Sequence, residues 1–312
     1  WLKFGSGLEV MPIASRRTGV SCLVFCSLLL GVWLCKRYVE HSRGWQVCQL
    51  ARDVEEGRRM LLPERILLLR HGESEGNIDR KTYYRKADNL IELTEAGWKQ
   101  AEAAGEKIKG VVGEEPLVVF VSPYLRTFQT LQALQNTLAP NIVRTEVEPA
   151  LAEQEFGNVQ HKSWEKYWRE RNERIGRFWY RFPTGESGAD VYHRATTFWQ
   201  KLKQLNMNPM QEPYSNVLVV THGLAMRMLL MRMFNWSPST FEAVFNAGNC
   251  EIWALRKNLS IPGDLPYDFD TEVGAFPNSS RSVKVIYKDG RSRKLMLEDY
   301  LKLEPPRTTQ QH

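Results

Sequence analysis

The apolar residues of this chain fall into short blocks of two kinds. Arg65-Ile66-Leu67-Leu68-Leu69-Arg70, Leu117 to Val121 and Val217-Leu218-Val219-Val220 are continuous apolar runs. Runs of that length predict strands buried on both faces, because a sheet covered by helices above and below shows no alternation. Ile142 to Val147 alternates and predicts a strand with one face less buried, and Cys250 to Leu255 is the last expected strand. Longer blocks with helical spacing lie between them. One opens at Leu93-Thr94-Glu95-Ala96-Gly97, with Thr94 as N-cap, and runs to about Ile108. Others cover Thr127 to Leu138, Ser163 to Tyr180, Gly188 to Leu205 and Leu224 to Phe234. Strands alternating with helices predict an α/β fold, a three-layer α/β/α sandwich around a mostly parallel central sheet. In such a sheet a ligand is expected beyond the carboxyl ends of the strands.

The pattern divides the chain unevenly. The regular block is 63–257. Residues 1–19 are a leading segment that begins at Trp1, read either as incomplete at its start or as carrying extra leading residues, with Met11 a candidate start. Residues 20–35 are uncharged and mostly apolar between Arg16-Arg17 and Lys36-Arg37. Sixteen helical residues span about 24 Å, short of a hydrocarbon core of about 30 Å. The segment is read as a membrane anchor or a signal segment, with an organellar transit segment also open. The basic residues that follow it lean the catalytic body toward the cytosol. Residues 36–62 are expected to be a linker, and 258–312 a C-terminal extension with a hairpin around Lys288-Asp289-Gly290 and a disordered tail. Asn258 and Asn278 lie in glycosylation sequons.

Composition changes this picture little. The chain has 42 Lys and Arg against 36 Asp and Glu, a formal charge of +6, and the basic residues are spread along its length. That reads as a mildly basic solvated surface. With no zinc-finger spacing and no homeodomain-like basic helix, no nucleic-acid partner is expected. Four of five cysteines precede residue 50, which is no disulfide framework for the main block.

Candidate chemistry sits at the strand ends. Arg70 and His71 close the first strand and lead into Gly72-Glu73-Ser74-Glu75-Gly76-Asn77. Glycines there let backbone N–H groups approach an anion. His222-Gly223 ends another buried strand in the same way, with a helix just after it. Two unrelated buried histidines are the bland alternative, but two in matching positions, one preceded by Arg, make it the weaker one. The second strand leads through Ser122-Pro123 to Arg126, and the third to Glu153-Gln154-Glu155, where one glutamate is a candidate general acid. Binding of a metal by His71 and His222 lacks a third ligand at a recognisable spacing.

Arg-His-Gly-Glu-Ser-x-Gly-Asn, Ser-Pro-x-x-Arg-Thr-x-Gln-Thr, Glu-Gln-Glu-Phe-Gly-Asn, Gly-Glu-Ser and Thr-His-Gly follow one another in that order. From about residue 64 to 256 the chain resembles the histidine phosphatase superfamily, which also contains the phosphoglycerate mutases. Arg181 to Tyr192 and Asn249-Cys250-Glu251-Ile252 resemble the branch of fungal broad-range acid phosphatases and plant phosphoglycerate-mutase-like proteins. His193 stands where that branch usually has Asp.

The resemblance implies a phosphoglycerate mutase-like fold and hydrolysis of a small phosphorylated substrate through a phosphohistidine, with no cofactor and no metal. It makes His71 the nucleophile and Glu153 the proton donor. Arg70, Arg126 and His222 bind the phosphoryl group with help from Asn77, Glu186 plays a supporting part, and Glu155 is structural. Two arginines beside His71 disfavour its protonation. A phosphoglycerate mutase or sugar-bisphosphatase is the nearest alternative, and a membrane-tethered pseudoenzyme that binds phosphorylated partners is the alternative of another class. The helix Trp164 to Arg181 carries Arg169, Arg171, Arg174, Arg177 and Arg181 among aromatic residues. It is either an amphipathic helix with a solvated basic face or a lid whose arginines hold a second anionic group.

Overall fold

The computed structural model describes residues 49, 52–157, 161–207, 214–274, 282–286 and 292–296. The chain divides into two compact units, Trp1–Gly57 and Arg58–His312. The leading segment and the apolar run 20–35 lie outside the described residues, as does the end of the chain from 297. Within the stretch expected to be a linker, residues 52–60 are helical. Among the described residues no helix is long and apolar enough to cross a membrane.

The larger unit is built on a six-stranded sheet. Its strands are β1 (Arg65–Arg70), β2 (Leu117–Val121), β3 (Ile142–Val147), β4 (Asn216–Thr221), β5 (Ile252–Lys257) and β6 (Tyr267–Phe269). The order across the sheet is β3-β2-β4-β1-β5-β6. β3, β2, β4 and β1 run parallel, and β5 and β6 are antiparallel at one edge. β7 (Ser282–Ile286) and β8 (Ser292–Met296) pair antiparallel as a separate two-stranded sheet.

Residue parity assigns each side chain to a face, because successive strand residues point to opposite sides. Ile66, Leu68, Val118, Phe120, Val217 and Val219 share one core with Phe198, Trp199 and Leu202. Those three belong to α5 (Gly188–Lys203), which packs on this face together with α6 (Gly223–Met233). Leu67, Leu69, Val119, Val121, Leu218 and Val220 share the other core with residues of α2 (Glu95–Val112) and α3 (Leu125–Leu138). The layers are therefore helix, sheet, helix, and this fold puts the carboxyl ends of β1, β2 and β4 side by side. α1 (Glu75–Ile78) and two 3-10 turns, Arg80–Tyr84 and Asp88–Leu90, fill the passage from β1 to α2.

The structure differs from the sequence expectations in three places. In place of one long helix over 163–180 there is α4 (His161–Arg169) followed by a π-helical turn, Glu170–Ile175. It stops at Gly176, whose φ of 95° lies in the left-handed region that other residues avoid. The last strand of the main sheet starts at Ile252 and not at Cys250, because Cys250 itself has φ 52° and turns the chain. It is also followed by β6 and preceded by α7 (Pro238–Ala243), short elements that carry too little periodicity to predict.

Backbone contact, more than side-chain packing, anchors the turn after His71. A Cβ at Gly72 would stand 2.5 Å from the Gly97 carbonyl oxygen, and one at Gly97 would collide with the Glu73 carbonyl. Neither neighbour is a side chain that can swing away. Gly97→Ala is accordingly expected to cost about 1–3 kcal/mol through overpacking. Urea unfolding checks this, and a change within about 0.5 kcal/mol, as surface substitutions give, would show that the two segments part easily.

Candidate active site

The parallel strands deliver their charged groups to one edge. The β1–β4 ladder extends one step past the strand, with His71 N donating to the Thr221 carbonyl at 2.9 Å. Ser122 N likewise donates to the Val220 carbonyl at 3.0 Å. His71 and His222 consequently emerge side by side, with ring centroids 5.2 Å apart in an edge-on arrangement. Thr130 on α3 accepts from Gly72 N at 3.0 Å and ties the turn to the neighbouring strand–helix unit.

His71 is 4% exposed. Its Nδ1 lies 2.7 Å from the Gly72 carbonyl oxygen. A carbonyl can only accept, so Nδ1 carries the proton and the lone pair stands on Nε2. Burial, reinforced by the charges of Arg126 and Arg70, holds the imidazole well below the ordinary histidine value. His222 is fully buried, with its Nε2 2.8 Å from Ser122 Oγ and its Nδ1 without a partner among the described residues. Burial first, then Arg126, His71 and Arg70, depress its pKa as well.

The guanidinium groups are held from behind. Arg70 Nη1 donates to the Ala247 carbonyl at 2.6 Å. Arg126, 2% exposed, donates from Nη1 to the Asp88 carbonyl at 2.6 Å and to Asp88 Oδ1 at 2.7 Å. The Nε of each has no partner among the described residues. Asp88 was not apparent in the sequence, since it sits on an isolated 3-10 turn with no motif to mark it. Tyr124 is another residue that sequence reasoning missed. Its ring packs edge-on to His222 at 4.9 Å, and the Arg126 guanidinium lies over it at 4.8 Å. Its place inside Ser122-Pro123-Tyr124-Leu125-Arg126 was the available signal.

Glu153 joins this group from the segment after β3. Its Oε1 accepts from Gln154 N at 3.0 Å, and its Oε2 from Leu224 N at 3.5 Å, at the start of α6. Burial raises the carboxyl above its ordinary value, against the opposing pull of those two N–H groups and of Arg126. The loop is positioned by Arg194 and Glu186. Arg194 grips both carboxylate oxygens of Glu186, at 2.9 and 2.8 Å. It also donates to the carbonyls of Ala150, Ala152 and Glu153 at 2.8, 3.1 and 3.4 Å. Glu186 in turn accepts from Glu155 N at 3.0 Å. This gives Glu186 a definite supporting geometry and leaves Glu155 exposed.

Asn77 is linked to the cluster through Asn249. It is exposed, and its Oδ1 accepts from Ser74 N and from Asn249 Nδ2, both at 3.1 Å. Asn249 Nδ2 also donates to the His71 carbonyl at 3.2 Å, so the two asparagines close the turn behind the histidine. His193 is exposed on α5, away from these contacts. Among the described residues no group of His, Cys, Asp and Glu could hold a metal ion.

Two buried histidines and two braced arginines at the carboxyl edge of an α/β sheet, with a carboxyl of raised pKa beside them, define a site for an anion and a proton transfer. A sequence model of the histidine phosphatase superfamily (branch 1) matches residues 66–258, and the chain belongs to that family. Phosphoglycerate mutase-like protein AT74 of Arabidopsis thaliana is 40% identical over 63% of this chain and 66% of its own length. Broad-range acid phosphatase DET1 of Saccharomyces cerevisiae is 24% identical over 64% of this chain and 87% of its own. Among solved structures, Bacillus stearothermophilus YhfR shares the fold, with a TM-score of 0.53 at 17% identity over 68% of this chain and 98% of that one.

Arg194 holds three carbonyls of the loop that carries Glu153. Arg194→Met keeps most of the aliphatic stem and removes the donors. The expected cost is about 1–3 kcal/mol for the acceptors left behind, with faster amide hydrogen exchange concentrated at residues 150–156. Exchange there at the wild-type rate would show that the loop stands without the arginine.

Proposed function

We propose that this protein is a phosphatase that hydrolyses phosphate monoesters through a phosphohistidine at His71. The observation that carries this reading is the state of His71: a buried neutral imidazole with its Nδ1 proton committed to the Gly72 carbonyl, which leaves the lone pair on Nε2, beside two guanidinium groups. Nε2 attacks phosphorus in line with the leaving oxygen. Arg70, Arg126 and the Nδ1 of His222 face the charge on the equatorial oxygens. Glu153, protonated because it is buried, gives its proton to the leaving oxygen, and then as carboxylate takes one from the water that opens the phosphohistidine. Asn77, tied to the His71 carbonyl through Asn249, is proposed to help bind the phosphoryl group. The acid-type assignment within this class is supported by the raised pKa of Glu153 and by the similarity to a relative named as a broad-range acid phosphatase. The guanidinium groups supply the positive charge, so the reaction is proposed to run without a cofactor.

His71→Ala is expected to abolish phosphate release. Glu153→Gln separates substrates: alkyl esters, whose leaving oxygen needs a proton, should lose about 100-fold or more in kcat, and aryl esters far less. Equal losses on both would remove Glu153 from the role of proton donor. With 3-phosphoglycerate the product is expected to be inorganic phosphate and not the 2-isomer.

The pH profile follows from the signs of the two shifts. His71 must be neutral, a condition met above its lowered pKa, and Glu153 must be protonated, a condition met below its raised one. The rate on an alkyl ester should rise with pH through the first and fall through the second. The alkaline fall should disappear in Glu153→Gln; if it persists, another group owns it.

A further inference from the structure

Glu153 also lines a cavity of about 190 Å³ whose walls include Trp168, Arg171, Arg177, Arg227 and Asn246. The three arginines come from the π-helical turn, from the segment after Gly176 and from α6, and only the fold brings them together. Arg171 and Arg227 are 4% and 1% exposed, yet neither makes an ion pair among the described residues. Arg171 donates to Gln154 Oε1 and to Asn172 Oδ1, both at 3.3 Å. Arg227 donates to Asn246 Oδ1 at 3.0 Å and to the Phe241 carbonyl at 2.6 Å, and its guanidinium lies 3.9 Å over the Phe241 ring. These partners are all neutral, and the Nε of each arginine has none among the described residues. Of the three, Arg177 has a carboxylate partner, that of Glu242 at 2.7 Å.

Three guanidinium groups thus line one small cavity, with Glu242 paired to Arg177 and the Glu153 carboxyl also in the wall. A buried charge without a counter-ion is costly. Burial, and after it Arg177, push the pKa of Arg171 down to about 10, with Glu242 and Glu153 pulling the other way. Bracing the surrounding loops through carbonyls does not call for like charges around open space. An incoming anion would supply Arg171 and Arg227 with the ion pair that neither has among the described residues.

We propose that this cavity takes a second anionic group, a carboxylate or a phosphate, carried by the leaving group of the ester cleaved at His71. The proposal rests on the phosphatase reading above, since it is Glu153, as donor to the leaving oxygen, that puts the cavity on the leaving-group side. It divides the five arginines of the segment 164–181. Arg171 and Arg177 line the cavity with Arg227, whereas Arg169 and Arg174 are exposed and Arg181 pairs with Asp190 at 2.6 Å.

The test compares kcat/KM on two matched pairs. Glycerol 3-phosphate and 3-phosphoglycerate differ by a carboxylate; fructose 6-phosphate and fructose 1,6-bisphosphate differ by a phosphate. The wild-type protein is expected to favour the charged member of at least one pair by about tenfold or more, and the pair that shows it identifies the anion. Arg171→Gln should collapse that preference, losing about tenfold on the charged member and clearly less on the uncharged one. Arg177→Gln, at a partly exposed site, is the second variant should the first not fold. Equal kcat/KM within both pairs, or an Arg171→Gln loss shared equally by charged and uncharged esters, overturns the subsite and leaves the phosphatase standing. Failure to release phosphate from any of the four, with His71→Ala indistinguishable, overturns the phosphatase reading and the subsite with it.

Discussion

His71 is 4% exposed and lies between Arg70 and Arg126, and it remains neutral there. A protonated imidazole in that place would face two positive charges without solvent to screen them. The neutral ring avoids that repulsion, and the Gly72 carbonyl decides which nitrogen keeps the proton. The rest of the site depends on this constraint. In the proposed reaction the arginines that favour a neutral His71 are also the groups that receive the anion, so one arrangement of charge serves both needs.

That arrangement holds only if the guanidinium groups stay in place before substrate arrives. Each is tied to backbone or to a carboxylate on its far side: Arg70 to Ala247, Arg126 to Asp88. The same logic extends to Glu153, the proposed proton donor, whose loop is tied to Arg194 and, through it, to Glu186. Preorganised dipoles and charges need no reorganisation at the moment of reaction, which is where such sites gain their rate. The contrast with Arg171 and Arg227 is physical. Arg126 is ion-paired to Asp88, whereas the hydrogen-bond partners of Arg171 and Arg227 are amides and a carbonyl.

Much of the architecture is legible in the apolar pattern alone. Continuous apolar runs mark the central strands, since a strand buried on both faces must be apolar at every position, and β2 and β3 fall where the pattern puts them. Thr94 accepts from Gly97 N at 3.0 Å and caps α2 as its position implies. The arginine-rich helix is where the pattern misleads. Helical periodicity continues past Arg169, while the backbone switches to a π turn and then breaks at Gly176. A wider turn shifts every later side chain around the axis, and no spacing rule written for 3.6 residues follows it.

By itself the sequence determined which residues would stand at the carboxyl edge. Arg70 ends β1, His71 and His222 follow directly on β1 and β4, and Arg126 lies in the first turn of the helix after β2. Asn77 and Glu186 were recognisable by motif, but their partners were not. Only the tertiary structure decided that Asn77 faces Ser74 and Asn249, that Asp88 braces Arg126, that Arg194 holds the Glu153 loop, and that Arg171, Arg177 and Arg227 share a cavity. Local spacing fixes what one element presents on one face. Contacts between residues 38 positions apart, as with Asp88 and Arg126, depend on how whole layers pack.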